Sequence, residues 1–221
     1  MATLSKNIFG TIKGSLGSLV FRERNGKTFI YSKPVKQKVS KSKASIEARQ
    51  KFSLAVALAR EINKNLVLSG VWNQCNIKAT NAYQKIIKVN ARLTEPKSLS
   101  LKNMITPAGS MLPEVYVNLK NESLEIILSS NKLPEELFNS NYLFCLIHLW
   151  SNNTKKLDFI IKLYQFELLP FDKNNKQNFI IDLSSFKKAS YKDGICFIAL
   201  TGMKAGKNKF FWSSTFASKF L

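Results

Sequence analysis

Tyr142-Leu143-Phe144-Cys145-Leu146-Ile147-His148-Leu149-Trp150 decides the architecture of this chain. Side chains alternate across a strand, so Tyr142, Phe144 and Leu146 fall on one face and Leu143, Cys145, Ile147 and Leu149 on the other. Both faces are apolar. A strand of that kind needs cover on both sides, because a half-exposed sheet shows polar residues on its wet face. The cover comes from other elements of the same chain, the helices read upstream being the less costly source, or from a second chain in an assembly.

Downstream of residue 113 the sequence keeps a period of two. Val115–Leu119, Leu124–Leu128, Tyr142–Trp150, Leu157–Leu168, Asn178–Leu183, Ile195–Leu200 and Phe210–Phe216 are seven β-rich runs. The segments between them are rich in Asn, Ser, Lys, Asp and Gly, and the one helical signal there is a short turn at Pro134–Phe138. Seven short strands with such turns predict an antiparallel immunoglobulin- or fibronectin-like sandwich over 113–221.

Upstream the reading changes. Residues 91–113 carry Pro96, Pro107, Gly109 and Pro113, which places a domain boundary there and makes 1–112 a separate module. Ser45 is a good N-cap, and Glu47 suits a first helical turn. Phe52, Ala55, Val56, Ala59, Ile62 and Leu66 then recur at helical spacing. Gly70 punctuates, and Trp72, Cys75, Ala79, Tyr83 and Ile86 predict a second helix over about 71–88, giving an antiparallel helical hairpin. Residues 32–45 hold five lysines, one proline, no acid and only Val35 and Val39 as apolar groups, too little to offset the entropy of ordering them alone. They read as an extended arm. Before the arm, Gly10, Gly14 and Gly17 lead into Leu19-Val20-Phe21, and Asn25-Gly26 separates two β-rich runs. Asn-Gly suits the type I′ turn because both central residues take positive φ, so a hairpin is predicted. The fold class expected is α+β.

The charge is lopsided. The 221 residues carry 34 Lys+Arg against 14 Asp+Glu, a formal net charge of +20. Residues 1–110 account for +16 of this and residues 111–221 for +4, and all five arginines (Arg22, Arg24, Arg49, Arg60, Arg92) lie in the first part. The guanidinium fork suits phosphate and carboxylate, so this segregation says more than net charge does. A general lysine bias explains the second half but not the shortage of acids in the first. Cys75, Cys145 and Cys196 are odd in number and far apart, which argues against a disulfide framework and fits a reducing compartment. The first ten residues lack a signal-peptide core, and no apolar run is long enough to span a membrane. The expected location is the cytoplasm, or an assembly formed there.

Sites of chemistry are few. His148 is the only histidine and lies in an apolar strand, where a structural role is the ordinary one. No His/Cys/Asp set has metal-ligand spacing, and Gly14-Ser15-Leu16-Gly17 lacks the lysine and the strand–turn–helix setting of a phosphate loop. Glu135-Glu136 sit at a turn and read as solvated. What stands out is a basic series: Arg22, Arg24 and Lys27 around the hairpin tip, Lys33, Lys36, Lys38, Lys41 and Lys43 along the arm, and Arg49 and Lys51 at the helix start. Against it stands the plain reading that edge lysines keep a strand and loop soluble. Phe21, Phe29 and Tyr31 could stack on bases, although alternating hairpin aromatics more often serve a core.

The Gly14-x-x-Gly17 pair, Asn25-Gly26, Tyr31-Ser32-Lys33-Pro34, Arg49-Gln50-Lys51-Phe52, Trp72, Asn81-Ala82-Tyr83 and Asn90 form a pattern. In these residues the first half resembles an uncharacterised domain family abundant in Bacteroidetes-type bacteria, whose members carry no established activity. Basic-arm-plus-helix segments of this kind also look like pieces of phage and tail-associated structural proteins. The resemblance implies a helical N-terminal module with a β-sandwich behind it, and brings no catalytic residues.

The expected function is therefore that of a non-enzymatic binding protein, without cofactor or metal. Its basic module meets nucleic acid or another polyanion with no sequence preference. The alternative is a structural or assembly subunit of phage-, tail- or surface-array type, whose arm packs on an acidic neighbour. Carbohydrate or protein binding by the sandwich loops rests on fold analogy alone.

Overall fold

The computed structural model describes residues 13–33, 39–112, 114–129, 133–151, 158–171, 176–186, 191, 193–203 and 209–220, and the backbone of 2–4. The chain forms two compact units, Met1–Lys41 and Ser42–Leu221. The boundary expected near residue 112 falls inside the second unit.

The first unit is an antiparallel sheet of four strands, β1 (Ala2–Leu4), β2 (Gly14–Leu16), β3 (Leu19–Arg24) and β4 (Lys27–Ser32), in the order β1-β4-β3-β2. The hairpin predicted at Asn25-Gly26 is present. Arg24 pairs with Lys27 across a two-residue loop, and Asn25 and Gly26 take φ of 52° and 70°. Positive φ at both positions is what the right-handed strand twist demands of so short a loop. A second two-residue loop, starting at Gly17 (φ 56°), joins β2 to β3.

In the second unit, α1 (Lys43–Lys64) begins earlier than Ser45, because the Ser42 side chain accepts from the Ser45 N–H and caps the helix. Lys43 is thus helical and not part of the arm, and Glu47 lies beyond the first turn. The buried stripe is Leu54, Ala55, Leu58, Ala59 and Ile62. Phe52 and Leu66, expected within it, are 57% and 87% exposed, since the buried stripe of α1 begins at Leu54 and α1 ends at Lys64.

The helix expected over 71–88 is two helices, α2 (Leu66–Gln74) and α3 (Ala82–Asn90). Asparagine caps set the breaks. The Asn65 side chain accepts from the N–H groups of Val67 and Leu68, and that of Asn81 from Gln84. Gly70 is not a break but an interior residue of α2, where a Cβ would collide with the Phe210 ring. Lys85 on α3 is buried, and its Nζ donates to the carbonyls of Asn73 (2.9 Å) and Cys75 (2.8 Å) at the end of α2.

All the remaining sheets are antiparallel. Strands β5 (Val115–Lys120), β6 (Ser123–Ser129) and β9 (Lys176–Asp182) pair in the order β5-β6-β9. Strands β7 (Tyr142–Trp150), β8 (Phe159–Glu167), β10 (Asp193–Met203) and β11 (Phe210–Trp212) pair in the order β11-β10-β7-β8, with β12 (Phe216–Lys219) also on β10. The last expected run, Phe210–Phe216, is therefore divided between two strands. The turn expected at Pro134–Phe138 is a 3-10 turn over Glu135–Leu137.

Both faces of β7 are covered within the chain. Phe144, Leu146 and Trp150 join Phe197 of β10 and Leu54, Leu58, Trp72 and Ile86 of the helices in one core. Leu143, Cys145, Ile147 and Leu149 join Leu124 and Ile126 of β6 and Ile181 of β9 in another. Each large side chain so buried contributes about 1.5–3 kcal/mol, which makes β7 the strand on which both cores depend.

Candidate polyanion interface

Strand register sorts the N-terminal sheet into two unlike faces. Residues directly opposed across antiparallel strands project to the same side. Arg22 opposes Phe29, Arg24 opposes Lys27, and Val20 opposes Tyr31. One face therefore carries Arg22, Arg24 and Lys27 toward the turn and Val20, Phe29 and Tyr31 behind them. The opposite face carries Leu19, Phe21, Glu23, Thr28 and Ile30, with Leu16 from β2. The three cations are exposed, whereas Phe29 and Tyr31 are half-buried and Thr28 is buried.

The sequence alone grouped Phe21 with Phe29 and Tyr31. The register separates them, because Phe21 opposes Ile30 on the other side. An odd or even offset from the turn was the available signal.

The other basic residues are placed less tightly. Lys33 follows β4 and is exposed, and its backbone N–H donates to the Ser18 carbonyl. Lys36 and Lys38 lie outside the described residues. Lys41 is exposed at the end of the first unit, and Lys43, Arg49 and Lys51 belong to the second. At 3.6 residues per turn, Arg49 and Lys51 point about 160° apart, so the helix start forms no single basic stripe. Arg49 also donates from Nη1 to the Ser45 hydroxyl (2.8 Å).

Groups that carry chemistry elsewhere are buried here. His148 is fully buried, with its Nδ1 accepting a long bond from the Leu99 N–H (3.4 Å) and its ring stacked on Trp150 at 4.8 Å. Burial lowers its pKa to about 3, so the imidazole is neutral across physiological pH. All three cysteines are free and buried. Burial, with Cys196 nearby, pushes the Cys145 thiol well up, and burial pushes Cys196 up to about 12. Neither supplies a thiolate nucleophile at neutral pH. Among the described residues, no group of three or more His, Cys, Asp or Glu could hold a metal ion.

No family model, curated protein or solved structure matches this chain. No helix among the described residues is long and apolar enough to cross a membrane.

Proposed function

We propose that the N-terminal unit binds nucleic acid, or a polyanion of like charge density, without reading sequence. The observation that carries this is the single face on which Arg22, Arg24 and Lys27 stand together, with Phe29 and Tyr31 behind them. Phosphates are met by the cations, and half-buried rings offer sequence-tolerant stacking to unpaired bases. The exposed lysines that follow β4 add charge but no base-reading geometry. The protein is proposed to act as a binder in the cytoplasm and not as an enzyme.

Charge release sets the test. If about five cations neutralise phosphates of a single strand, log K falls with a slope near −3.5 in log salt, roughly 130-fold between 50 and 200 mM. Titrating a fluorescent 20-mer single strand across that range should give such a slope, and R22Q/R24Q/K27Q should flatten it by about three phosphate equivalents. A salt-independent affinity, or no binding at 50 mM salt, sinks the proposal.

The strand order supports reading the second unit's sheets as a fibronectin-like sandwich. Lettered from β5 as A, the strands pair A-B-E in one sheet and C′-C-F-G in the other, with β8 as C′ and β11 and β12 sharing the place of G. The assembly alternative drew on the two-sided apolar β7, whose faces are both covered by its own chain. An acidic protein neighbour for the basic face is therefore left as the competing outcome, favoured if the charge variants change solution mass and not nucleic-acid binding.

A further inference from the structure

A cavity of about 480 Å³ opens in the second unit under the 91–102 segment, where β7 and β12 end and β10 begins. Its floor is apolar, formed by the buried Leu99, Trp150 and Ile195. Its walls carry three cations from three separate places: Arg92 just after α3, Lys102 in the loop, and Lys219 on β12. The register explains the convergence. Lys219 opposes Ile195, and Ile195 opposes His148, so Lys219 sits on the same helix-facing side of the sheet as the floor. None of the three makes an ion pair among the described residues. Among the described residues, Glu95 is the one acid on the wall.

Three like charges around one concavity repel one another, and the described lining supplies a single carboxylate against them. An anion that enters removes that repulsion and gains charge-assisted hydrogen bonds. The volume lies within the range of small-molecule pockets and exceeds what an inorganic ion fills. An apolar floor containing an indole favours a ligand with a flat body, and the Glu95 carboxylate matches a hydroxyl or amino donor.

We propose that this cavity binds a nucleoside phosphate, its phosphate held by Arg92, Lys102 and Lys219 and its base or sugar resting on the Trp150 floor. The phosphate can belong to a free nucleotide or to the 5′ end of a nucleic acid. The site lies wholly in the second unit and does not rest on the hairpin reading.

Isothermal titration of the full chain with AMP, GMP, CMP, UMP, inorganic phosphate, adenosine and a 5′-phosphorylated dinucleotide tests it. At least one nucleoside monophosphate or the dinucleotide should bind with a Kd of about 100 µM or tighter, at least about tenfold tighter than phosphate or adenosine alone. If the dinucleotide binds more tightly than any mononucleotide, the source is a chain end; the reverse order assigns a free nucleotide. R92Q/K102Q, both exposed and so tolerant of change, should weaken binding at least about tenfold, while R22Q/R24Q/K27Q leaves it unchanged. The proposal is overturned if none of the nucleotides gives saturable heat. Equal binding of inorganic phosphate, or equal weakening by the hairpin variant, overturns it too.

Discussion

Acidification from pH 6.5 is expected to destabilise this protein by about 1.4 kcal/mol per pH unit through His148 alone. The folded state holds the imidazole neutral with a pKa of about 3, against an ordinary value of 6.5 in the unfolded chain. Between those values the unfolded state binds the extra proton, so stability rises with pH across the window and is lost as pH falls through it. The full loss on reaching pH 3 is about 4–5 kcal/mol, a large part of the stability of an ordinary domain. The cause is burial. His148 packs among Leu99, Trp150 and Phe159, opposes Ile161 and Ile195 in register, and its Nε2 has no hydrogen-bond partner among the described residues. Urea unfolding at pH 6.5, 5.5 and 4.5 reads the slope before most carboxylates titrate. H148Q, whose side-chain oxygen can still accept from the Leu99 N–H, should lose about 1.4 kcal/mol per unit of that slope. Identical slopes in the two proteins would mean that His148 reaches solvent, and would reopen a proton-transfer role for it.

Much of this arrangement is legible in the sequence because it is local. Asn25-Gly26 dictates a hairpin through the φ angles it permits, and β7 announces two cores by being apolar on both faces. The seven β-rich runs correspond to strands for the same reason, since period two survives without knowledge of partners. The helices were harder. Periodicity over 71–88 is continuous in the letters, yet Asn65 and Asn81 each accept backbone N–H groups and start new helices. Capping residues outweighed a stripe that a helix of that length would have buried, and Gly70 acts as a contact for Phe210 and not as punctuation.

The candidate sites divide along the same line. The sequence shows Arg22, Arg24 and Lys27 near one another, but only the register puts Phe29 and Tyr31 beside them and Phe21 opposite. The cavity was not legible at all. Arg92, Lys102 and Lys219 are separated by up to 127 positions and meet through sheet pairing and a loop, neither of which leaves a short-range signal. Net charge also overstated the surface: Lys85 counts toward the basic excess yet is buried under two carbonyls.

Replacing Asn90 by leucine is expected to cost about 3–5 kcal/mol and to disorder the roof of the cavity. Asn90 is fully buried at the end of α3. Its Nδ2 donates to the carbonyls of Ile86 (3.1 Å) and Met104 (3.0 Å), and its Oδ1 accepts from the Met104 N–H (2.8 Å) and from Asn103 Nδ2 (3.0 Å). Asn103 in turn donates to Thr94 Oγ1 and accepts from the Ser100 N–H. These bonds give the irregular 91–104 segment the backbone partners that a helix or sheet would otherwise provide. Leucine keeps asparagine's branching and heavy-atom count and is no smaller, so the loss is not a cavity effect. It comes from leaving the half-buried Met104 N–H and C=O without these partners, at about 1–3 kcal/mol each. Because Asn103 acts through Asn90, N90L and N103L should cost less together than the sum of the single changes, a coupling of at least about 1 kcal/mol in a double-mutant cycle. Amide hydrogen exchange should rise first at Ser100 and Met104 in N90L, with β7 and β10 protected until global unfolding. Strictly additive losses, or uniform exchange across both cores, would show the segment to be held by apolar packing of Leu99 and Ile105 instead.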